Sequence, residues 1–141
     1  MAAFPSPLSP PIPRVNQVSG AIISAAMRVH SILGPGLLES VYQSCLAHEL
    51  QRGGFSVATQ LGLPVFYDGQ KIELGFRIDL LVENLVIVEV KSVEAIHPVH
   101  QAQLLSYLRL SGIGVGLLIN FYVVHLRDGI KRMVVGKDWE K

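Results

Sequence analysis

Phe76-Arg77-Ile78-Asp79-Leu80-Leu81-Val82-Glu83-Asn84-Leu85-Val86-Ile87-Val88-Glu89-Val90-Lys91 consists of two apolar, β-rich runs interrupted by Glu83-Asn84, with charges set into both. Successive strand side chains point to opposite faces, so Glu89 and Lys91 share one face and Val88 and Val90 the other. The connection sets the register. A strict two-residue turn at Glu83-Asn84 would place Val82 opposite Leu85 and Asp79 opposite Val88, which leaves Asp79 and Glu89 on different faces. A three-residue loop or a bulge brings them to the same face. The sequence therefore predicts an odd connection with Asn84 in the left-handed region, or a bulge.

Working outward, Gln17 to Leu33 repeats apolar residues at helical steps (Val18, Ile22, Ala25, Ala26, Val29, Ile32), with Asn16 as an N-cap and Gly34-Pro35-Gly36 as a stop. Leu37 to Arg52 reads as a second helix, ended by Gly53-Gly54. Phe55 to Leu61 and Leu63 to Tyr67 read as two short strands, and Asp68-Gly69 as a hairpin turn. Pro98 opens a helix to Leu110 with Gly112 as its stop, and Val115 to Leu126 and Ile130 to Val135 are strands around the turn Arg127-Asp128-Gly129. The predicted order, α-α-β-β-β-β-α-β-β, describes an α/β domain whose mixed sheet is flanked by helices on both sides. Residues 15–136 form one domain, after a disordered proline-rich leader over 1–14 and before a short tail over 137–141.

Half of the 141 residues are apolar, and 12 Lys and Arg against 11 Asp and Glu give a net charge of +1. No broad basic surface is implied, so contact with nucleic acid would rest on local patches. Cys45 is the single cysteine, which excludes an internal disulfide and fits a cytoplasmic setting. No apolar stretch approaches the roughly 18 residues of a membrane span. His30, His97 and His100 have no recognisable zinc spacing, His30 reads as a helix-end residue near local carbonyls, and Cys45 reads as core.

Two carboxylates and a lysine gathered at a hairpin end suit a hard cation. Mg²⁺ or Mn²⁺ held by Asp79, Glu89 and the carbonyl of Val90 would assist phosphodiester hydrolysis, with Lys91 beside the attacking water.

Asp79 followed by Glu89-Val90-Lys91 resembles the bipartite signature of the PD-(D/E)xK nuclease superfamily, whose restriction-endonuclease-like core is αβββαβ. Gly36-Leu37-Leu38-Glu39-Ser40-Val41-Tyr42 is similar to the pattern of the GxxExxY group placed in that superfamily. Leu33-Gly34-Pro35-Gly36, Pro98-Val99-His100-Gln101-Ala102-Gln103-Leu104-Leu105-Ser106-Tyr107 and Gly116-Leu117-Leu118-Ile119-Asn120-Phe121 extend the similarity. It spans nearly everything from Asn16 to Val135.

The resemblance implies a metal-dependent nuclease with DNA as the expected polymer and a homodimer as a candidate assembly. It casts Glu39 as a further acid leaning towards the metal, Asp79 and Glu89 as the strand carboxylates and Lys91 as the catalytic lysine. Gln103 and Tyr107 become an accessory pair. Ile78 stands where the superfamily pattern has proline.

Plainer explanations stay open. Glu39 gains from its helix dipole without any catalytic duty. Gln103 and Tyr107 suit the solvent boundary of an amphipathic helix, and charges on a strand can discourage edge aggregation. A non-catalytic interaction module that retains the nuclease fold is the competing function.

Overall fold

The computed structural model describes residues 12–136. Helices α1 (Ile12–Leu33) and α2 (Glu39–Arg52) precede strands β1 (Val57–Tyr67), β2 (Gln70–Val82) and β3 (Val86–Lys91). Helix α3 (Pro98–Ser111), strand β4 (Val115–Asn120), a short 3₁₀ turn (Leu126–Gly129) and strand β5 (Ile130–Val134) follow. The five strands lie in the order β1-β2-β3-β4-β5. Only β3 and β4, linked through α3, run parallel. The αβββαβ order is present, with β5 added at one edge.

Helix α1 starts at Ile12, inside the stretch assigned to a leader. Pro13 sits in its first turn, where a missing N–H leaves no intrahelical bond unmade. The leader before Ile12 and the whole tail over 137–141 lie outside the described residues. Asn16 is therefore within the helix rather than capping it, and its side chain accepts a bond from Arg132. Val15, Val18, Ile22, Ala26 and Val29 form the buried stripe.

This stripe and Tyr42, Leu46 and Leu50 of α2 pack on one face of the sheet, against Leu80, Val82, Val86, Val88, Val90 and the odd-numbered residues of β4. On the opposite face, Leu104, Tyr107 and Leu108 of α3 cover Ile78, Leu81, Ile87 and Leu118. Gly116 permits that close approach, since a Cβ there would lie 2.9 Å from a Leu104 methyl.

Three further sequence expectations are corrected. The two strands expected over 55–67 are one, because an edge strand accommodates Pro64 and the irregularity beside it. The strand expected to reach Leu126 ends at Asn120, where the Asn120 amide turns to the Val93 carbonyl and its oxygen accepts from Val93 and Tyr122 N–H groups. His30 reaches the distant Val123 carbonyl at 2.8 Å rather than local helix carbonyls.

The β2–β3 connection has the predicted odd length. Val82 faces Val86 and Leu80 faces Val88, with Glu83 and Asn84 both at φ 54°. The turn is fastened to its surroundings: Glu83 accepts the Ser56 N–H at 2.7 Å, donates its own N–H to the Ser56 carbonyl and pairs with Arg14. No helix among the described residues is long and apolar enough to cross a membrane.

Candidate active site

Continuing the β2–β3 register beyond Leu80 and Val88 sets Asp79 opposite Glu89. The backbone ladder ends there, and side chains take over. Val90 N–H donates to Asp79 Oδ2 at 2.8 Å, and Asp79 N–H donates to Glu89 Oε2 at 3.2 Å. Each carboxylate thus occupies the gap between the separating strands and accepts an amide from the other strand.

The local chain also changes face at this point. Ile78 packs in the α3 cluster, whereas Leu80 and Val82 pack on the α1–α2 side. Regular alternation would put all three on one face. Asp79 therefore sits at a break in the pleat.

Glu89 is only 6% exposed. Burial above all, then the side-chain hydrogen bond and charge of Asp79, pushes its carboxyl up to about 9, against smaller opposing pulls from the Asp79 amide and then Lys91. Lys91 is half-buried at the strand end, and its carbonyl turns away to accept the Phe121 N–H from beyond β4. Within a strand residue the N–H and C=O point to the same edge, so Val90 directs both towards the gap beside Asp79.

Tyr107 lies beneath the acids on α3, buried and 5.3 Å from the Phe76 ring. Its hydroxyl is pushed up to about 12 by burial first and then by the charges of Glu89 and Asp79. Gln103 is half-buried one turn earlier on the same helix.

Glu39 has a different position from the acid pair. Its Oε2 accepts the Ser92 N–H at 3.1 Å, one residue past Lys91, while the Ser92 hydroxyl donates to the Leu37 carbonyl. No group of three or more His, Cys, Asp or Glu side chains suited to one metal occurs among the described residues. The set brought together is thus Asp79 and Glu89, with Glu39 bracing the end of β3.

Tyr42, three residues after Glu39, secures the same region. It is fully buried and stacks on Phe121 at 4.3 Å, donates to the Gly34 carbonyl and accepts the Leu37 N–H. The spacing from Gly36 through Glu39 to Tyr42 therefore ties the α1–α2 loop to the ends of β3 and β4. His97 and His100 are engaged with each other at the start of α3, where the His100 ring accepts the His97 N–H. Cys45 is half-buried and packs against the main core.

Sequence reasoning missed Gln60. It lies between the pairs Thr59–Leu80 and Leu61–Ile78, hence across from Asp79, and has φ 50°. No turn residue or charge marks it.

The donor set fits a hard divalent cation: two carboxylates from facing strands and a backbone carbonyl aimed at the same gap. The electrostatics agree, because a glutamate raised first by burial and then by a neighbouring aspartate gains from positive charge placed between them.

A family model for the PD-(D/E)XK nuclease superfamily matches residues 16–133. No curated protein and no solved structure matches the chain. With the match covering α1 from Asn16 onward, all of α2, every strand but the last residue of β5, and the carboxylate pair at the opening of the β2–β3 ladder, this chain belongs to the PD-(D/E)XK nuclease superfamily.

Proposed function

We propose that the protein is a Mg²⁺- or Mn²⁺-dependent nuclease of the GxxExxY group that hydrolyses phosphodiester bonds in DNA. The observation that carries this reading is the facing pair Asp79 and Glu89, one of them buried and raised, with Lys91 two residues further along the same strand. Asp79, Glu89 and the Val90 carbonyl would hold the cation, which supplies Lewis-acid activation of water and stabilises charge on the transferring phosphoryl group.

The chain's own residues have distinct duties. The amides of Val90 and Asp79 orient the two carboxylates, so neither must reorganise as charge develops. Lys91 offers its ammonium to a phosphate oxygen or the attacking water. Tyr107 and Gln103 supply polar groups from the α3 side, with Tyr107 remaining a neutral hydroxyl donor throughout the physiological range. Glu39 holds the strand end through Ser92. Both carboxylates come from one chain, so the reading requires no second copy. A cytoplasmic setting accompanies it, consistent with a single free cysteine.

Incubation of linear, nicked and single-stranded DNA, and of RNA, with each metal provides the test. Wild type should cleave DNA, while Asp79→Asn and Lys91→Ala should not. Inert wild type, or equally active variants, would overturn the proposal.

The net charge of +1 favours one competing reading, a non-catalytic module with the same fold. Calorimetry with Mn²⁺ separates the two: binding abolished by Glu89→Gln supports the nuclease, and absence of binding supports the module.

A further inference from the structure

We infer that Gln60, braced by Gln43, is a positioning residue for the Asp79 carboxylate. Residues with a Cβ rarely adopt φ near +50°; glycine or asparagine would occupy such a position at lower cost. Gln60 nevertheless adopts it within β1, directly across from Asp79, at the point where the strand pair changes face. An unfavourable conformation on a long amide side chain directs attention to what that amide contacts.

Its Nε2 donates to Gln43 Oε1 at 2.7 Å and lies 3.5 Å from Asp79 Oδ1, the long limit of a hydrogen bond. A primary amide carries two N–H donors, so one can hold Gln43 while the other faces Asp79. The other oxygen of Asp79 already accepts the Val90 N–H. The two sides of the carboxylate are therefore set from different strands: by a backbone amide of β3 and by a side chain of β1.

Gln43 connects this contact to α2. It stands four residues after Glu39, on the same face of the helix. Glu39 reaches Ser92 at the end of β3, and Gln43 reaches Gln60 on β1. One helix face thus reaches the end of β3 on one side and β1 on the other, with β2 and its Asp79 between them. This geometric role stands independently, whereas its consequence for metal affinity rests on the nuclease reading above.

The decisive experiment compares Gln60→Gly, which suits the backbone while deleting the amide, with Gln43→Ala, which leaves Gln60 in place and removes its brace. Amide hydrogen exchange in metal-free protein is read at Val90, whose N–H donates to Asp79. Phe121 N–H, bonded to the Lys91 carbonyl on the other edge of β3, normalises for any general loss of stability. In both variants Val90 should exchange about tenfold faster relative to Phe121. An unchanged ratio in both would overturn the role, whatever the metal behaviour.

Mn²⁺ calorimetry on the same proteins supplies the functional arm. Gln60→Gly should bind about tenfold more weakly than wild type, the usual scale for losing a group that orients a ligand. If wild type itself binds no Mn²⁺ while the Val90 ratio rises, the nuclease reading falls and the positioning role stands. Measurable Mn²⁺ binding that is equal in wild type and both variants would overturn the consequence for metal affinity, while the Val90 ratio alone decides the positioning role.

Discussion

Glu83 and Glu89 lie at opposite ends of the β2–β3 hairpin, and their surroundings are nearly inverse. Glu83 has a cation supplied by the chain, Arg14, together with a backbone donor from Ser56. Glu89 faces another carboxylate, is buried, and feels Lys91 as the smallest of the influences that move its carboxyl. The difference separates two uses of an acid. Where the fold brings its own positive charge, the acid fastens structure; where it brings a second negative charge, the acid is suited to a cation from outside.

The largest effect that tests this contrast is on cleavage. Glu89→Gln should lower metal-dependent turnover by about a thousandfold or more, corresponding to roughly 4 kcal/mol in the barrier. Glu83→Gln, by contrast, should leave turnover per folded molecule within about threefold, because an amide oxygen still accepts the Ser56 N–H. Single-turnover assays at matched folded concentration make the comparison. Equal losses at both ends would erase the distinction.

Stability should reverse the ranking. Glu83→Ala removes the partner of Arg14 and leaves the Ser56 N–H without its carboxylate acceptor, in a turn held at two positive φ values. A loss of about 2 kcal/mol is expected, measured by urea denaturation, since the Ser56 N–H is exposed to water and the Arg14 pair is partly screened. A change under about 0.5 kcal/mol would show that the turn holds its length without the clamp.

These two ends also show how far the sequence could be read. Parity alone required an odd connection if Asp79 and Glu89 were to share a face, and the observed turn has three residues between Val82 and Val86. Helix α2 is legible from its apolar spacing and Gly53, and α3 from Pro98, which opens it, and Gly112, which ends it. Other elements depended on tertiary context. Gly62 and Pro64 look like breaks, but β1 is an edge strand and absorbs them.

The segment after Asn120 has strand-like composition yet leaves the sheet, because Phe121 is needed under Tyr42 and Asn120 is bonded to the β3–α3 connection. Only the family resemblance brings Glu39 towards the site, and its choice of Ser92 depends on where α2 docks. Gln60 was invisible because nothing in a neutral glutamine announces a left-handed strand residue.

A smaller stability effect has the opposite sign at the Glu89 end. The folded protein holds the Glu89 proton up to about 9, while the unfolded chain releases it near 4.5. Between these values the unfolded state binds fewer protons, so this residue lowers stability as pH rises through that window. The contribution is fully present below the unfolded value. Metal-free Glu89→Gln should therefore be about 1 to 2 kcal/mol more stable than wild type at pH 8 and should have a flatter profile from pH 5 to 9. Thermal melts across that range measure the slope, and a wild type that gains stability from pH 5 to 8 through this residue would contradict the assignment.

The smallest expected effect isolates the bonded cation of Glu83, for which the weaker pull of Lys91 on Glu89 is no equivalent. Arg14 is 39% exposed at its side chain and Glu83 21%, so solvent screens the pair. Arg14→Ala should cost about 0.5 to 1 kcal/mol, well below Glu83→Ala, because the Ser56 N–H retains its acceptor. Added salt should reduce that cost, since the surviving charge interaction is partly exposed. A double-mutant cycle with Glu83→Gln gives the coupling directly by urea denaturation, and Mn²⁺ affinity at the far end of the hairpin should remain unchanged in Arg14→Ala. If removal of Arg14 weakens Mn²⁺ binding as much as loss of Gln60, the two ends are mechanically coupled, and the division between fastening acid and cation-seeking acid no longer describes the hairpin.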